Sequence, residues 1–213
     1  MASEEIAKLL LDIKAVALNT EEPFRYTSGI LSPIYCDNRL VISYPDKREV
    51  VIQAFLDLIR EQNLEFDVVG GTATAGIPHA AWIADRLKKP MIYIRGKEKG
   101  HGKKNRIEGV IKKGQTVLIV EDLISTGGSS VDAGLAVREE GGVVIDCIAI
   151  FTYEMQKARA AFSEADIQLH TLTNFSTLVD VASANGYIKK DEQEKILAWN
   201  KDPQAWGSAM GYE

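Results

Sequence analysis

Cysteine is scarce in this 213-residue chain: Cys36 and Cys147 are the only two, far apart and with no Cys-x-x-Cys pair. Neither a disulfide framework nor a structural zinc site can be assembled from so few ligands at such spacing. Two isolated thiols of this kind are expected to be buried and reduced. Long apolar runs are missing too, and no stretch of about 18 residues is apolar enough to span a bilayer. The opening Met1-Ala2-Ser3-Glu4-Glu5 is acidic and leads into an amphipathic segment, the wrong pattern for a secretory signal, so a cytoplasmic location is expected. Positive charge is in deficit, with 25 Lys and Arg against 30 Asp and Glu and a net charge of −5. Phosphate neutralisation needs clustered cations, so no nucleic-acid partner is expected, and no membrane partner either. Internal repeats and low-complexity linkers are absent.

What is present suits one globular core with a small appendage: 46% hydrophobic and 26% charged residues. Ile6, Leu9, Leu10, Ile13 and Ala17 follow Ser3 at helical spacing, which predicts a helix over residues 4–18 with Ser3 as its N-cap. A turn-rich stretch runs to Pro45, which fits the first position of a helix reaching about residue 63. Its expected buried stripe is Val50, Val51, Ala54, Phe55, Leu58 and Ile59. Apolar runs at 66–70, 91–94, 117–120, 143–150 and 167–172 read as strands. Residues 76–88, 128–140, 156–162 and 191–199 read as helices. This alternation predicts a doubly wound α/β fold with a parallel sheet covered on both faces.

Residues 117–130 carry the chemistry. Val117-Leu118-Ile119-Val120 is a buried strand, Glu121 and Asp122 stand at its C-terminal end, and Leu123 and Ile124 lead into Ser125-Thr126-Gly127-Gly128-Ser129-Ser130 before a helix. Ligands of open α/β sheets bind at the carboxyl ends of strands. Gly127 and Gly128 let backbone N–H groups face a ligand, and with the helix N-terminus they form an anion seat. Ser125, Thr126 and Ser129 add hydroxyl donors. Two carboxylates beside an anion seat make sense if the ligand also offers hydroxyls or a divalent cation. A phosphorylated sugar with bound Mg²⁺ meets both conditions. Competing phosphate motifs do not fit: Gly102-Lys103 is followed by Lys104, and no Gly-x-Gly-x-x-Gly follows a strand.

This segment resembles the phosphoribosyl-pyrophosphate signature of type I phosphoribosyltransferases. The resemblance implies that Glu121 and Asp122 hold the ribose hydroxyls and that Ser125 to Ser129 wrap the 5′-phosphate, with Leu123 and Ile124 also among the phosphoribosyl-pyrophosphate contacts. It further implies that Mg²⁺ is held mainly through phosphoribosyl pyrophosphate rather than by protein ligands. The loop Thr72-Ala73-Thr74-Ala75, between a strand and a helix, resembles the family's pyrophosphate loop. It carries no basic residue, so the neutralising charge must come from elsewhere.

Residues 95–106 are a candidate source, with six Lys or Arg, one His, three Gly and no apolar side chain. They read either as a solvated charged loop or as a lid that closes over pyrophosphate. The alternation of Arg95, Lys97, Lys99 and His101 resembles the flexible catalytic loop of orotate phosphoribosyltransferases. That family's loop reaches into the neighbouring subunit, which implies a homodimer. By the same resemblance Arg95, Lys99 and His101 contact pyrophosphate, Lys97 is a further contact, and Asp122 joins them in the catalytic set.

Residues 24–39 contain Ser28-Gly29-Ile30-Leu31-Ser32-Pro33, similar to the orotate family's Ser-Gly-x-x-Ser-Pro signature. In phosphoribosyltransferases the base lies under a variable hood, here about residues 1–45 above a core of about 46–213. Ser125 is carried over as an orotate contact. Some relatives place a lysine before the Ser-Gly, where this chain has Thr27. Some place an arginine after the strand that follows the main motif, where this chain reads Phe151-Thr152-Tyr153-Glu154. The orotate carboxylate is then expected to meet backbone N–H groups with Arg25 or Arg39. The implied reaction is magnesium-dependent phosphoribosyl transfer to orotate in UMP biosynthesis. The alternatives are a purine phosphoribosyltransferase, or a phosphoribosyl-pyrophosphate sensor that binds nucleic acid.

Overall fold

The computed structural model describes residues 2–26, 28–96 and 106–212. In chain order the elements are α1 (Ala2–Asp12), β1 (Val16–Leu18), β2 (Phe24–Arg25), β3 (Leu31–Ser32) and β4 (Ile34–Cys36). A 3-10 helix (Asn38–Ser43) leads to α2 (Pro45–Glu61), β5 (Val68–Thr72), α3 (Gly76–Leu87), β6 (Met91–Ile94) and β7 (Ile107–Glu108). Then come β8 (Val117–Ile124), α4 (Gly128–Glu139), β9 (Asp146–Thr152), α5 (Gln156–Glu164) and β10 (Gln168–Asn174). Helices α6 (Phe175–Ala184), α7 (Lys190–Lys201) and α8 (Trp206–Ala209) close the chain. No described helix is long and apolar enough to cross a membrane.

The main sheet has the order β10-β9-β8-β5-β6-β7. Its first five strands are parallel, and β7 adds an antiparallel edge to β6. The expected parallel sheet is thus a mixed one, with a two-residue edge strand too short to read from sequence. Alternate residues of each strand face opposite layers. Val69, Leu118, Val120, Ile148 and Ile150 pack with α1, α2, α3 and α6. Val68, Val117, Ile119, Cys147 and Ala149 pack with α4 and α5. Both cysteines are buried and unpaired with each other.

Several boundaries differ from expectation. Helix α1 stops at Asp12, because Lys14 takes a left-handed turn (φ 58°) and the chain becomes β1. Ser3 lies inside that helix, and its hydroxyl donates to Thr173 Oγ1 at 3.1 Å instead of capping. In α2 the fully covered residues are Val51, Ile52, Phe55 and Ile59. Strand β9 starts at Asp146, and Val143 makes only an isolated bridge to Thr116. The stretch after β1 is more ordered than a run of turns: β1 pairs with β4, and β2 pairs with β3.

The β2–β3 ladder rests on the C-terminal helices. Trp199 of α7 is fully buried, and its indole Nε1 donates to the Leu31 carbonyl at 3.1 Å. Its ring meets Tyr26, Tyr153 and Phe175 at centroid distances of 6.2, 5.5 and 5.8 Å. Truncating so large a buried side chain costs roughly 3–5 kcal/mol, so α7 is a principal clamp on residues 24–36. Gly207 of α8 fits against Leu31, where an added Cβ would come within 3.0 Å of Leu31 Cδ1.

Candidate active site

Parallel strands direct their C-terminal ends the same way, so the loops after adjacent β5, β6 and β8 open along one edge of the sheet. The fold therefore gathers Thr72–Ala75, Arg95 and residues 121–129 there. The 3-10 helix joins them through Asn38, described below.

Glu121 and Asp122 are not a strand terminus, as the sequence suggested, but lie within β8, which runs on to Ile124. The ladder with β9 continues through Leu123↔Phe151 and Ile124↔Thr152. Glu121 is 7% exposed; its Oε2 accepts from Ser130 Oγ at 3.2 Å, and its Oε1 from the Asp122 N–H at 3.1 Å. Burial, reinforced by the adjacent Asp122 charge, pushes the Glu121 carboxyl up to about 8. Burial raises Asp122 as well, while hydrogen bonding to Glu121 and the nearby Arg39 charge oppose the rise. With both carboxyls raised by burial, the pair favours ligands bringing hydroxyl donors or positive charge.

The anion loop follows. Gly127 sits at φ 78° as the residue before α4, and its carbonyl accepts from the Val131 N–H at 3.0 Å. A Cβ there would press on the Phe162 ring at 3.0 Å, so glycine is required by both dihedral and space. Thr126, Gly128 and Ser129 are exposed, leaving their N–H and O–H groups open to a ligand. Ser125 is half-buried, with its hydroxyl 3.9 Å from Met155 Sδ.

The second loop is set by close packing. A Cβ on Gly76 would lie 2.2 Å from the Val120 carbonyl oxygen, so α3 starts hard against β8. The Ala73 N–H is held by the Ile94 carbonyl at 2.8 Å, and the Ala73–Thr74 peptide is cis. Thr72 is 4% exposed, and among the described residues its hydroxyl has no hydrogen-bond partner.

Arg95 and Arg106 bracket the basic segment. The Arg95 N–H donates to the Arg106 carbonyl at 2.8 Å, and Arg95 Nε lies 3.4 Å from Glu108 Oε1. Arg106 is fixed by Asp132 of α4 at 2.6 Å. Lys97, Lys99 and His101 lie outside the described residues.

On the opposite side, Tyr26 Oη donates to the Ile34 carbonyl at 2.8 Å, accepts from Ser32 Oγ at 3.2 Å, and lies 3.2 Å from Tyr153 Oη. Arg25 is exposed, with Nη1 3.4 Å from the Gly29 carbonyl. Arg39 is not an uncommitted cation: it grips Asp37 through Nε at 2.6 Å and Nη2 at 2.8 Å. That ion pair lowers Asp37 and leaves Arg39 with its charge largely spoken for.

Among the described residues no cluster of three or more His, Cys, Asp or Glu is placed to hold a metal ion. Two carboxylates at the mouth of an anion loop suit a hard cation that draws its other oxygens from a phosphorylated ligand. Sequence reasoning overlooked Ser130 and Asn38. Ser130 was visible as the last hydroxyl of the motif, whereas nothing local marks Asn38.

The chain is a phosphoribosyltransferase by class: the phosphoribosyl transferase domain model matches residues 45–181. The chain is 65% identical over 202 residues to the orotate phosphoribosyltransferase of Coxiella burnetii, covering 95% of this chain and 97% of that one. It is 52% identical over 205 residues to the enzyme of Enterococcus faecalis, covering 96% and 98%. Among solved structures, orotate phosphoribosyltransferase from Aeropyrum pernix aligns with a TM-score of 0.75 at 27% identity, over 86% of this chain and 99% of that one. The chain belongs to the orotate phosphoribosyltransferase family.

Proposed function

We infer that this chain joins orotate to phosphoribosyl pyrophosphate, giving orotidine 5′-monophosphate and pyrophosphate in UMP biosynthesis. The observation that carries the reading is the buried Glu121–Asp122 pair running directly into a glycine-hydroxyl anion loop, in a chain so similar to named orotate enzymes. In this reading the ribose hydroxyls donate to Glu121 and Asp122, and the 5′-phosphate takes the N–H and O–H groups of residues 125–129. The Thr72-Ala73-Thr74-Ala75 loop faces the pyrophosphate.

The ring nitrogen of deprotonated orotate forms the new bond to the anomeric carbon as the carbon–oxygen bond to pyrophosphate breaks. The electron pair leaves with pyrophosphate. Both partners arrive pre-formed, so catalysis is positioning and electrostatics. Arg95, Lys97, Lys99 and His101 stabilise the departing anion and exclude water. Glu121 and Asp122 are the carboxylates that could help hold a Mg²⁺ brought in mainly by phosphoribosyl pyrophosphate, and such an ion would supply positive charge to the leaving group. On the base side, Ser125 and the Ser28-Gly29 backbone meet orotate. Arg25 and Arg39 are the candidate cations there, and Arg39 would have to give up Asp37.

The organisation proposed is a single phosphoribosyltransferase domain, its hood of about residues 1–45 supported from below by Trp199 and Gly207. A cytoplasmic homodimer that shares the basic segment between subunits completes the reading. Loss of orotate ultraviolet absorbance with phosphoribosyl pyrophosphate, with and without Mg²⁺, tests it. Magnesium-dependent loss is the expected result. Turnover of a purine base without turnover of orotate would move the assignment to the purine enzymes.

A further inference from the structure

Strand β8 is longer than its neighbour on one side. Its ladder with β5 ends at Gly71↔Val120, because β5 turns away into the Thr72–Ala75 loop. Beyond that point, residues 121–124 keep β9 as their partner strand, and Asp122 is absent from that register. Asn38 reaches this stretch: its side chain is fully buried and its Nδ2 donates to the Asp122 carbonyl at 2.8 Å. The other end of the amide is also fixed, since Oδ1 accepts from the buried Cys36 Sγ at 3.3 Å. Carbonyl on one side and thiol on the other leave the amide a single sensible orientation.

We propose that Asn38 is a positioning residue that fixes the backbone of Asp122, and with it the direction of both carboxylates, to the segment that carries the hood. Asn38 follows β4 after a single residue and opens the 3-10 helix, so the contact ties the base side of the site to the sugar side. The proposal rests on the reading that Glu121 and Asp122 hold the ribose hydroxyls.

Three variants decide it. Asn38→Leu keeps the volume and removes the donor, and should raise the KM for phosphoribosyl pyrophosphate about tenfold, the scale of one lost hydrogen bond. The KM for orotate and kcat should change less than about threefold, because the remaining contacts to base and leaving group are untouched. Asn38→Asp carries a carboxyl that donates only while protonated. It should approach wild type near pH 6 and resemble Asn38→Leu near pH 9, each read as a ratio to wild type at the same pH. A merely structural role would not give this pH-dependent rescue. An unchanged KM for phosphoribosyl pyrophosphate in folded Asn38→Leu overturns the proposal, as does an equal rise in both KM values. If Asn38→Leu fails to fold, Asn38→Asp decides alone, and a ratio that stays constant from pH 6 to 9 overturns the proposal. Asp122→Asn separates the two layers of the argument. If it leaves the KM for phosphoribosyl pyrophosphate unchanged, the ribose-seat reading itself fails. If it raises that KM while the Asn38 variants do not, only the role of Asn38 falls.

Discussion

The Ser130 hydroxyl, in the first turn of α4, donates to the Glu121 carboxylate at 3.2 Å and so holds the buried end of the acidic pair against the anion loop. Together with the Asp122 N–H it gives Glu121 two donors, yet burial still pushes that carboxyl up to about 8.

The first prediction concerns that proton. Glu121 is raised in the folded state, so folding binds a proton between pH 4.5 and about 8, and this group's contribution to stability falls as pH rises through that window. Ribose hydroxyls donate best to the ionised form. Binding of phosphoribosyl pyrophosphate should therefore release close to one proton near pH 7 and tighten as pH rises toward about 8.5. Calorimetric titration in two buffers of different ionisation enthalpy measures the release. Glu121→Gln should remove most of it. Proton release that is the same in wild type and Glu121→Gln would contradict the assignment.

Gly76 gives the second. Its Cβ would sit 2.2 Å from the Val120 carbonyl and 3.3 Å from Glu121 Cα, both backbone atoms that cannot swing aside. Gly76→Ala should cost about 2–3 kcal/mol, the usual scale of overpacking, and lower the melting temperature by about 5–10 °C. It should also weaken binding of inorganic pyrophosphate, because α3 can shift only by moving the loop in front of it. A variant that melts with wild type would show that the two backbones have room to part.

Legibility from sequence followed the range of the forces involved. Val117–Val120 was readable because four apolar residues in a row suit a strand buried on both faces. Glu121 and Asp122 looked like a strand end, and only tertiary pairing with β9 and the reach of Asn38 explain why the strand continues. Helix α6 was missed because its β-branched residues, Thr177, Val179 and Val181, suggest a strand. Its local signal was present, however: Asn174 caps it by accepting from the Thr177 N–H at 2.8 Å. The glycine loops of the candidate site were legible because phosphate chemistry dictates local residue types. The committed state of Arg39 was not, since a cation two residues from an acid reads the same whether or not it pairs.

A third prediction comes from His79, which is fully buried on α3 between Phe55 and Trp82, with no hydrogen-bond partner for either ring nitrogen among the described residues. Burial lowers it to about 4 from the ordinary 6.5. The unfolded chain therefore binds a proton that the folded one refuses. This contribution to stability is intact above pH 6.5 and is lost as pH falls toward 4, by about 3 kcal/mol in all. His79→Phe should hold its stability near pH 7 and lose less of it by pH 4.5, as thermal melts at both values would reveal. Parallel acid losses in the two proteins would rule His79 out as a source.

The last prediction tests whether the basic segment works across a dimer. Lys99→Ala alone should lower kcat by about a hundredfold or more, the scale of removing one donor to a developing anion. Asp122→Asn damages the other half of the proposed site. If Lys99 acts in the neighbouring subunit, mixing the two inactive variants after subunit exchange yields heterodimers that each contain one intact site and one doubly damaged site. Random assortment makes half of the dimers mixed, so activity should recover to about a quarter of wild type. If Lys99 acts within its own subunit, every site keeps one lesion and nothing is regained. Sedimentation of the mixture at assay concentration separates the two explanations of a failed rescue. A dimer without rescue rejects the shared site, and a monomer rejects the dimer itself.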